Sequence, residues 1–382
     1  MFNFDEAIDR TASNSQKWEK YKGQDILPLW VADCDFGVAP AITQAMTERL
    51  AHPVFGYTNT PASLVSAFQQ HLTQHFDWQV EGDEMIWLPG LVCGLHLACK
   101  AASREGETVI CPTPIYPPFM TAPVFNQRKL TKVPMALTGQ RWTIDLKALE
   151  ASITPDTRVI LFCNPHNPGG TVYTREELTA LAEIVIKHDL VICSDEIHCD
   201  LVLEPSCQHI PLATISPEIA ERTITLMAPS KTFNIAGLGC ATAIITNPTL
   251  RKRFARARRG IVADVNIMGY VAAEAAYTSG QEWLAEQLDY LRENRDLLLE
   301  AAKQWPEFSF NPIEATYLAW FEVKDQSIRD PEAFFLNAGV GLSSGKDFGN
   351  ERFMRLNFGC TRATLKEAIA RINSALEAYR NA

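Results

Sequence analysis

The 382-residue chain carries 35 Lys and Arg against 45 Asp and Glu, a formal charge of −10, with 47% hydrophobic and 21% charged residues. That balance excludes a disordered chain and disfavours non-specific attraction to nucleic acid or an anionic membrane surface. It points to a globular protein with a sizeable core and a small-molecule partner.

The first ten residues contain acids and no apolar leader core, and no stretch reaches the ~18 apolar residues of a membrane span, so the expected location is the cytoplasm. Ten cysteines scattered through apolar runs read as reduced, buried thiols. From Met85 onward, β-branched runs alternate with amphipathic stretches. Met85–Leu88, Thr108–Cys111, Arg158–Cys163, Leu190–Cys193, Thr223–Met227 and Ala241–Thr246 read as strands apolar on both faces. Between them, helices are predicted over Leu91–Ser103, over Thr174–His188 (opened by Thr174 with Glu177 as a capping box), and over Ser216–Glu221. This alternation predicts a doubly wound α/β domain with a mostly parallel sheet. The basic run Arg251, Arg253, Arg256 and Arg259, interleaved with Leu250 and Phe254, reads as a solvated helix face.

After about Gly280 the pattern changes. A long helix from Gln281 to Trp305, a strand Tyr317–Glu322, a short helix from Pro331, a glycine-rich loop, a strand Arg355–Phe358 and a last helix Arg362–Tyr379 read as a smaller α+β lobe. No repeat or linker separates the lobes, so they are expected to share a cleft. Two apparent motifs carry no site. Cys193, His198, Cys199, Cys207 and His209 have no C-x-x-C spacing, and no metal is expected there. Gly339–Lys346 is not a phosphate loop of the Walker type, because Val340 replaces the required glycine and Asp347 the Ser or Thr.

Three strand ends bring chemistry together. Lys231 follows the strand ending at Met227, among Ala228, Pro229, Ser230 and Thr232; by itself it is either a ligand-facing amine or a surface lysine. Asp195 and His198 follow the apolar run Val191–Cys193, where a carboxylate is a site residue, a loop cap or a metal ligand. Asn167 sits in Asn164-Pro-His-Asn-Pro-Gly-Gly-Thr171, a proline and glycine turn after a third strand.

In this order and spacing the three segments closely resemble pyridoxal 5′-phosphate (PLP) enzymes of the aminotransferase superfamily, fold type I. Within it, Leu29–Phe36, Asp195–His198 and Arg355–Gly359 are similar to the cystathionine β-lyase branch of the MalY/PatB type. The resemblance implies a large PLP-binding domain over 46–280 and a small domain from 1–45 and 281–382. It implies that Lys231 anchors the cofactor and then serves as base at Cα, and that Asp195 pairs with the pyridine nitrogen. Asn167 would bond the phenolic oxygen, with His198 beside it or simply in the cleft wall. Tyr116 would stack on the ring, or be a core tyrosine. Backbone amides at Val92 and Cys93, with Ser230, would hold the phosphate. Ala228 and Gly239 depart from the superfamily pattern, which has serine and arginine there. Tyr57 would reach the phosphate of a second chain, making a homodimer. Arg355 would clamp the substrate α-carboxylate, or else be a surface ion pair, and Ala32 would line the same pocket through its backbone. The implied activity is carbon–sulfur β-elimination from L-cystathionine or another cysteine S-conjugate. The alternatives are an aminotransferase using the same residues and a non-catalytic cofactor-binding regulator, the latter disfavoured because the resemblance begins by about Leu27 and leaves no room for a DNA-binding segment.

Overall fold

The computed structural model of the protein describes residues 2–382. Its principal sheet contains β1 (Met85–Leu88), β2 (Thr108–Thr113), β3 (Lys129–Pro134), β4 (Thr157–Cys163), β5 (Val191–Asp195), β6 (Thr223–Met227) and β7 (Ala241–Ile244). The spatial order is β1-β7-β6-β5-β4-β2-β3. Pairings from β3 through β6 are all parallel, whereas β7 runs antiparallel to both neighbours. The sheet is therefore mostly parallel, as the alternating pattern predicts. Helices cover both faces, which is why β6 is buried at all five positions and its sequence carries no charged residue.

Local signals explain the helices flanking the site. Thr174 accepts from the Glu177 amide while the Glu177 carboxylate accepts from the Thr174 amide, starting Arg175–Lys187 with two satisfied donors. Helix Leu91–Ala102 lies close against the sheet because Gly94 has no side chain; a Cβ there would come within 2.9 Å of Leu226. Of the basic run, Arg253 and Arg256 lie on the exposed face of Pro248–Arg258, which buries Leu250 and Phe254, Arg259 caps its end, and the half-buried Arg251 pairs with Asp83 at 3.0 Å.

A second sheet, of β8 (Phe308–Phe310), β9 (Leu318–Val323), β10 (Ser343–Ser344) and β11 (Phe353–Asn357), has the order β8-β9-β11-β10. Leu27–Pro28 pairs in parallel with Val340–Gly341, so the amino-terminal segment docks on this lobe. Gln281–Ala302 stops three residues short of the predicted Trp305 end. The glycine-rich loop becomes two short strands and a 3₁₀ turn, Gly345–Phe348. All ten cysteines are free. Among the described residues no His, Cys, Asp or Glu group is placed to hold a metal, and no helix is long and apolar enough to cross a membrane.

Candidate active site

A cleft of about 440 Å³ opens over the carboxyl ends of the parallel strands, between the two sheets. Its floor comes from the loops after β1 (Leu91, Val92), β2 (Tyr116), β4 (Asn167), β5 (Asp195, His198) and β6 (Ser230, Lys231), and its roof from Trp30, Ala32, Ser343, Phe348 and Arg355. Nine of the residues that the sequence singles out thus border one cavity. Two stand apart from it: Cys93 turns its thiol back to the Gly90 carbonyl at 2.9 Å, and Tyr57 is fully exposed on an outward-facing segment.

Lys231 Nζ donates to the Ala32 carbonyl at 2.6 Å, which couples the floor to the roof. Burial lowers the pKa of its ammonium, and the nearby Arg355 charge adds to the effect. Asp195 is buried, and its carboxylate accepts only from the Ile197 amide at 3.1 Å; burial lifts its pKa to about 7. His198 makes no side-chain hydrogen bond, its buried Nδ1 is unpartnered, and burial lowers its pKa to about 3, so the imidazole is neutral.

Arg355 sits on β11 with 5% exposure. Its Nη1 donates to Asn167 Oδ1 (3.0 Å), its Nη2 to the Trp30 carbonyl (2.9 Å) and to Ser343 Oγ (3.3 Å), and Nε is unpartnered. The guanidinium lies 4.7 Å over the Phe348 ring and has no carboxylate partner among the described residues; burial lowers its pKa to about 10. A buried cation without a counterion is costly, so this one is matched to an anion entering the cleft. The surface ion-pair alternative for Arg355 is thereby corrected: burial on a strand with no acidic neighbour precludes it. Because Asn167 spends its oxygen on Arg355, its amide N–H₂ is the group left for a ligand acceptor.

The phosphate-like end of the cleft is backbone. Helix Leu91–Ala102 begins at Gly90 without a side-chain cap, leaving first-turn amides unpaired at the cleft wall. Gly239 has φ +59°, and a Cβ there would meet the Pro89 carbonyl oxygen at 2.8 Å, so no arginine fits that backbone.

Other residues hold the roof in place and carry no transferable signature of that task. Asn357 Nδ2 donates to the Val31 and Asp33 carbonyls, and Tyr317 Oη to the Ala32 carbonyl at 3.1 Å. Asn234, at φ 57°, bridges the backbone of Cys34 and Phe36. Lys17, with no exposed surface, pairs with Asp35 at 2.6 Å, and Arg10 bonds both Asp33 and Asp35. The close acids Asp33 and Asp35 are the one sequence signal that cations are needed beside this segment.

The raised Asp195 pKa has a measurable sign. The folded, cofactor-stripped protein favours the protonated acid, so the penalty for ionisation is absent near pH 4, grows as pH rises and is complete above about 7. Asp195→Asn should therefore make the cofactor-stripped protein more stable than wild type at pH 8, by at most about 4 kcal/mol, with the gap closing toward pH 4. Urea unfolding at both pH values checks this; equal midpoints at pH 8 would place an unseen cation against the carboxylate.

The family model described as aminotransferase class I and II matches residues 24–372. Cystathionine beta-lyase PatB of Bacillus subtilis is 35% identical over 98% of this chain and all of that one. Among solved structures, OvoB superposes with a TM-score of 0.96 at 48% identity, over 98% of this chain and 99% of that one. The PLP-bound C-S lyase of Staphylococcus hominis gives 0.92 at 33%, over 98% of each.

Proposed function

The chain belongs to the aminotransferase class I and II family and depends on pyridoxal 5′-phosphate, and we propose that it is a carbon–sulfur β-lyase converting L-cystathionine or a related cysteine S-conjugate to pyruvate, ammonia and a thiol. The observation that carries the reading is the buried, counterion-free Arg355 fork in one cleft with Lys231 and Asp195, in a chain that matches a cystathionine β-lyase from end to end.

The residues present fit the cofactor. The unpartnered His198 imidazole, the free Asn167 amide and the uncapped helix start at Gly90 are polar groups that a phosphorylated pyridine would satisfy. When bound, the cofactor supplies a conjugated electron sink that acidifies the Cα–H bond and lets a β-substituent depart. In this assignment Lys231 would hold it covalently, Asp195 would pair with its ring nitrogen and Tyr116 would cover the ring. Ser230 and the Val92 and Cys93 amides serve the phosphate. Asp195, whose pKa burial raises to about 7 in the protein alone, would be stabilised as a carboxylate by a protonated ring nitrogen placed against it.

Arg355 fixes the α-carboxylate through two parallel bonds, which orients the Cα–H bond. Lys231, whose lowered pKa favours the neutral amine, removes that proton. Trp30 and Phe348 wall the cleft against water. Purified holoenzyme given L-cystathionine should release pyruvate and free thiol in equal amounts without an added keto acid. Amino-group transfer that requires a keto acid would make it an aminotransferase instead.

We assign the chain to two domains, 46–280 and 1–45 with 281–382, on the strength of the two sheets and the Leu27–Val340 pairing. Ten free cysteines support a reducing, cytoplasmic setting. We also assign a homodimer: Val54, Phe55 and Tyr57 form an exposed apolar segment, and Val92, at the cleft, is 42% exposed. Sedimentation should give a dimer, and Tyr57→Phe should weaken cofactor affinity about tenfold through one lost hydrogen bond while the dimer persists. A fully active monomer would remove both assignments.

A further inference from the structure

The cleft is lined by more residues than the reacting centre uses. Beyond Lys231 and Arg355 its lining continues to a mouth formed by three separate parts of the chain: Gln16 and Lys20 from the amino-terminal segment, Glu332 from helix Pro331–Asn337, and Asp347 from the Gly345–Phe348 turn. These charges converge on one cleft from three separate elements. Lys20, Glu332 and Asp347 make no ion pair or side-chain hydrogen bond with one another or with any other described residue. Lys20 instead rests its ammonium 4.5 Å over the Trp30 ring and 5.2 Å from the Tyr21 ring. That contact holds the charge at the mouth and is weak enough for an incoming carboxylate to replace.

The inner end of the cleft already reads one amino-acid head through Arg355. At the outer end, one ammonium and two carboxylates stand ready without satisfying one another. We propose that Lys20, Glu332 and Asp347 form a distal subsite that recognises a second amino-acid head on the sulfur substituent, Lys20 taking its carboxylate and the two acids its ammonium. This rests on the C–S lyase reading and sharpens it. The preferred substrate is a thioether joining two amino acids, and an uncharged S-alkyl cysteine reacts without using the mouth. Two carboxylates against one ammonium also disfavour substituents that end in a lone carboxylate.

The test compares L-cystathionine with S-methyl-L-cysteine on the holoenzyme and on Lys20→Ala and Glu332→Gln/Asp347→Asn variants. For cystathionine, each variant should lose about tenfold in kcat/KM, mainly through KM, and the wild-type value should fall as salt is raised. For S-methyl-L-cysteine, the variants should match wild type and salt should have little effect. Equal losses on both substrates, or unchanged cystathionine kinetics in both variants, would overturn the subsite while leaving the lyase intact. If neither substrate gave pyruvate and thiol with the wild-type enzyme, the lyase reading itself would fall, and the subsite with it.

Discussion

Lys231→Ala is expected to lower β-elimination by at least about 10⁴-fold, because one side chain is lost from two tasks at once. The lysine stands four residues beyond the carboxyl end of β6, on a turn closed by the Phe233 amide donating to the Pro229 carbonyl at 2.8 Å. This geometry aims the amine into the cleft, where it meets the Ala32 carbonyl. Burial and the Arg355 charge lower its pKa, which favours the unprotonated amine that both a covalent bond to an aldehyde and proton removal require. The wild-type protein should be yellow, and the variant should lose the absorbance due to the lysine-bound cofactor. Borohydride reduction followed by peptide mapping should place the label on Lys231. A label on another lysine would dismantle every role assigned around it.

Arg355→Lys should cost on the order of 2 to 5 kcal/mol in transition-state binding, about 30-fold to several thousand-fold in kcat/KM. A lysine brings the charge but not the planar fork, and it cannot satisfy Asn167, Trp30 and Ser343 while also gripping a carboxylate with two parallel bonds. It would also lose the flat contact with Phe348. Part of the loss should fall on kcat, since a loosely held carboxylate lets the Cα–H bond swing out of alignment. Cofactor content should stay at the wild-type level. A variant that kept its kcat/KM but lost cofactor would place Arg355 at the phosphate.

The sequence is most readable where one physical demand dominates. Thr223–Met227 is predicted to the residue because a strand buried on both faces carries no charge and is rich in β-branched and apolar residues, and Thr174 with Glu177 marks a helix start by its own chemistry. The edge strand Lys129–Pro134 shows no such run, since most of its residues are at least partly exposed and its lysines face solvent. Helix Ile267–Ser279 is also silent: it is buried around most of its circumference and rich in alanine, so it presents no stripe of helical period.

The site divides in the same way. Lys231, Asp195, Asn167 and Tyr116 are legible because loops after parallel strands are where ligands bind, and a familiar order of motifs names them. Lys17, Tyr317, Asn234 and Lys20 act through tertiary neighbours. Asn234 reaches Cys34 across 200 residues of sequence and Tyr317 reaches Ala32 across 285, and no local pattern encodes such meetings.

The docking of the amino-terminal segment on the last lobe has a consequence for biosynthesis. The principal sheet is finished once Ile244 has emerged from the ribosome, and it can collapse on its own helices. The cleft's roof cannot: Trp30 waits for Arg355, 325 residues later, and Leu27 waits for Val340. Asn234 and Lys231 can hold Cys34, Phe36 and Ala32, and Trp283 and Tyr290 can cover Phe36, but until nearly the whole chain is synthesised Leu27–Pro28 has no strand to pair with and Leu29 lacks its Gly341 and Asn357 backbone partners. A nascent chain stalled before β11 would therefore hold a folded sheet bearing Lys231 and Asp195 but no grip on an amino acid. In this way the late return of the chain ties catalytic competence to completed translation.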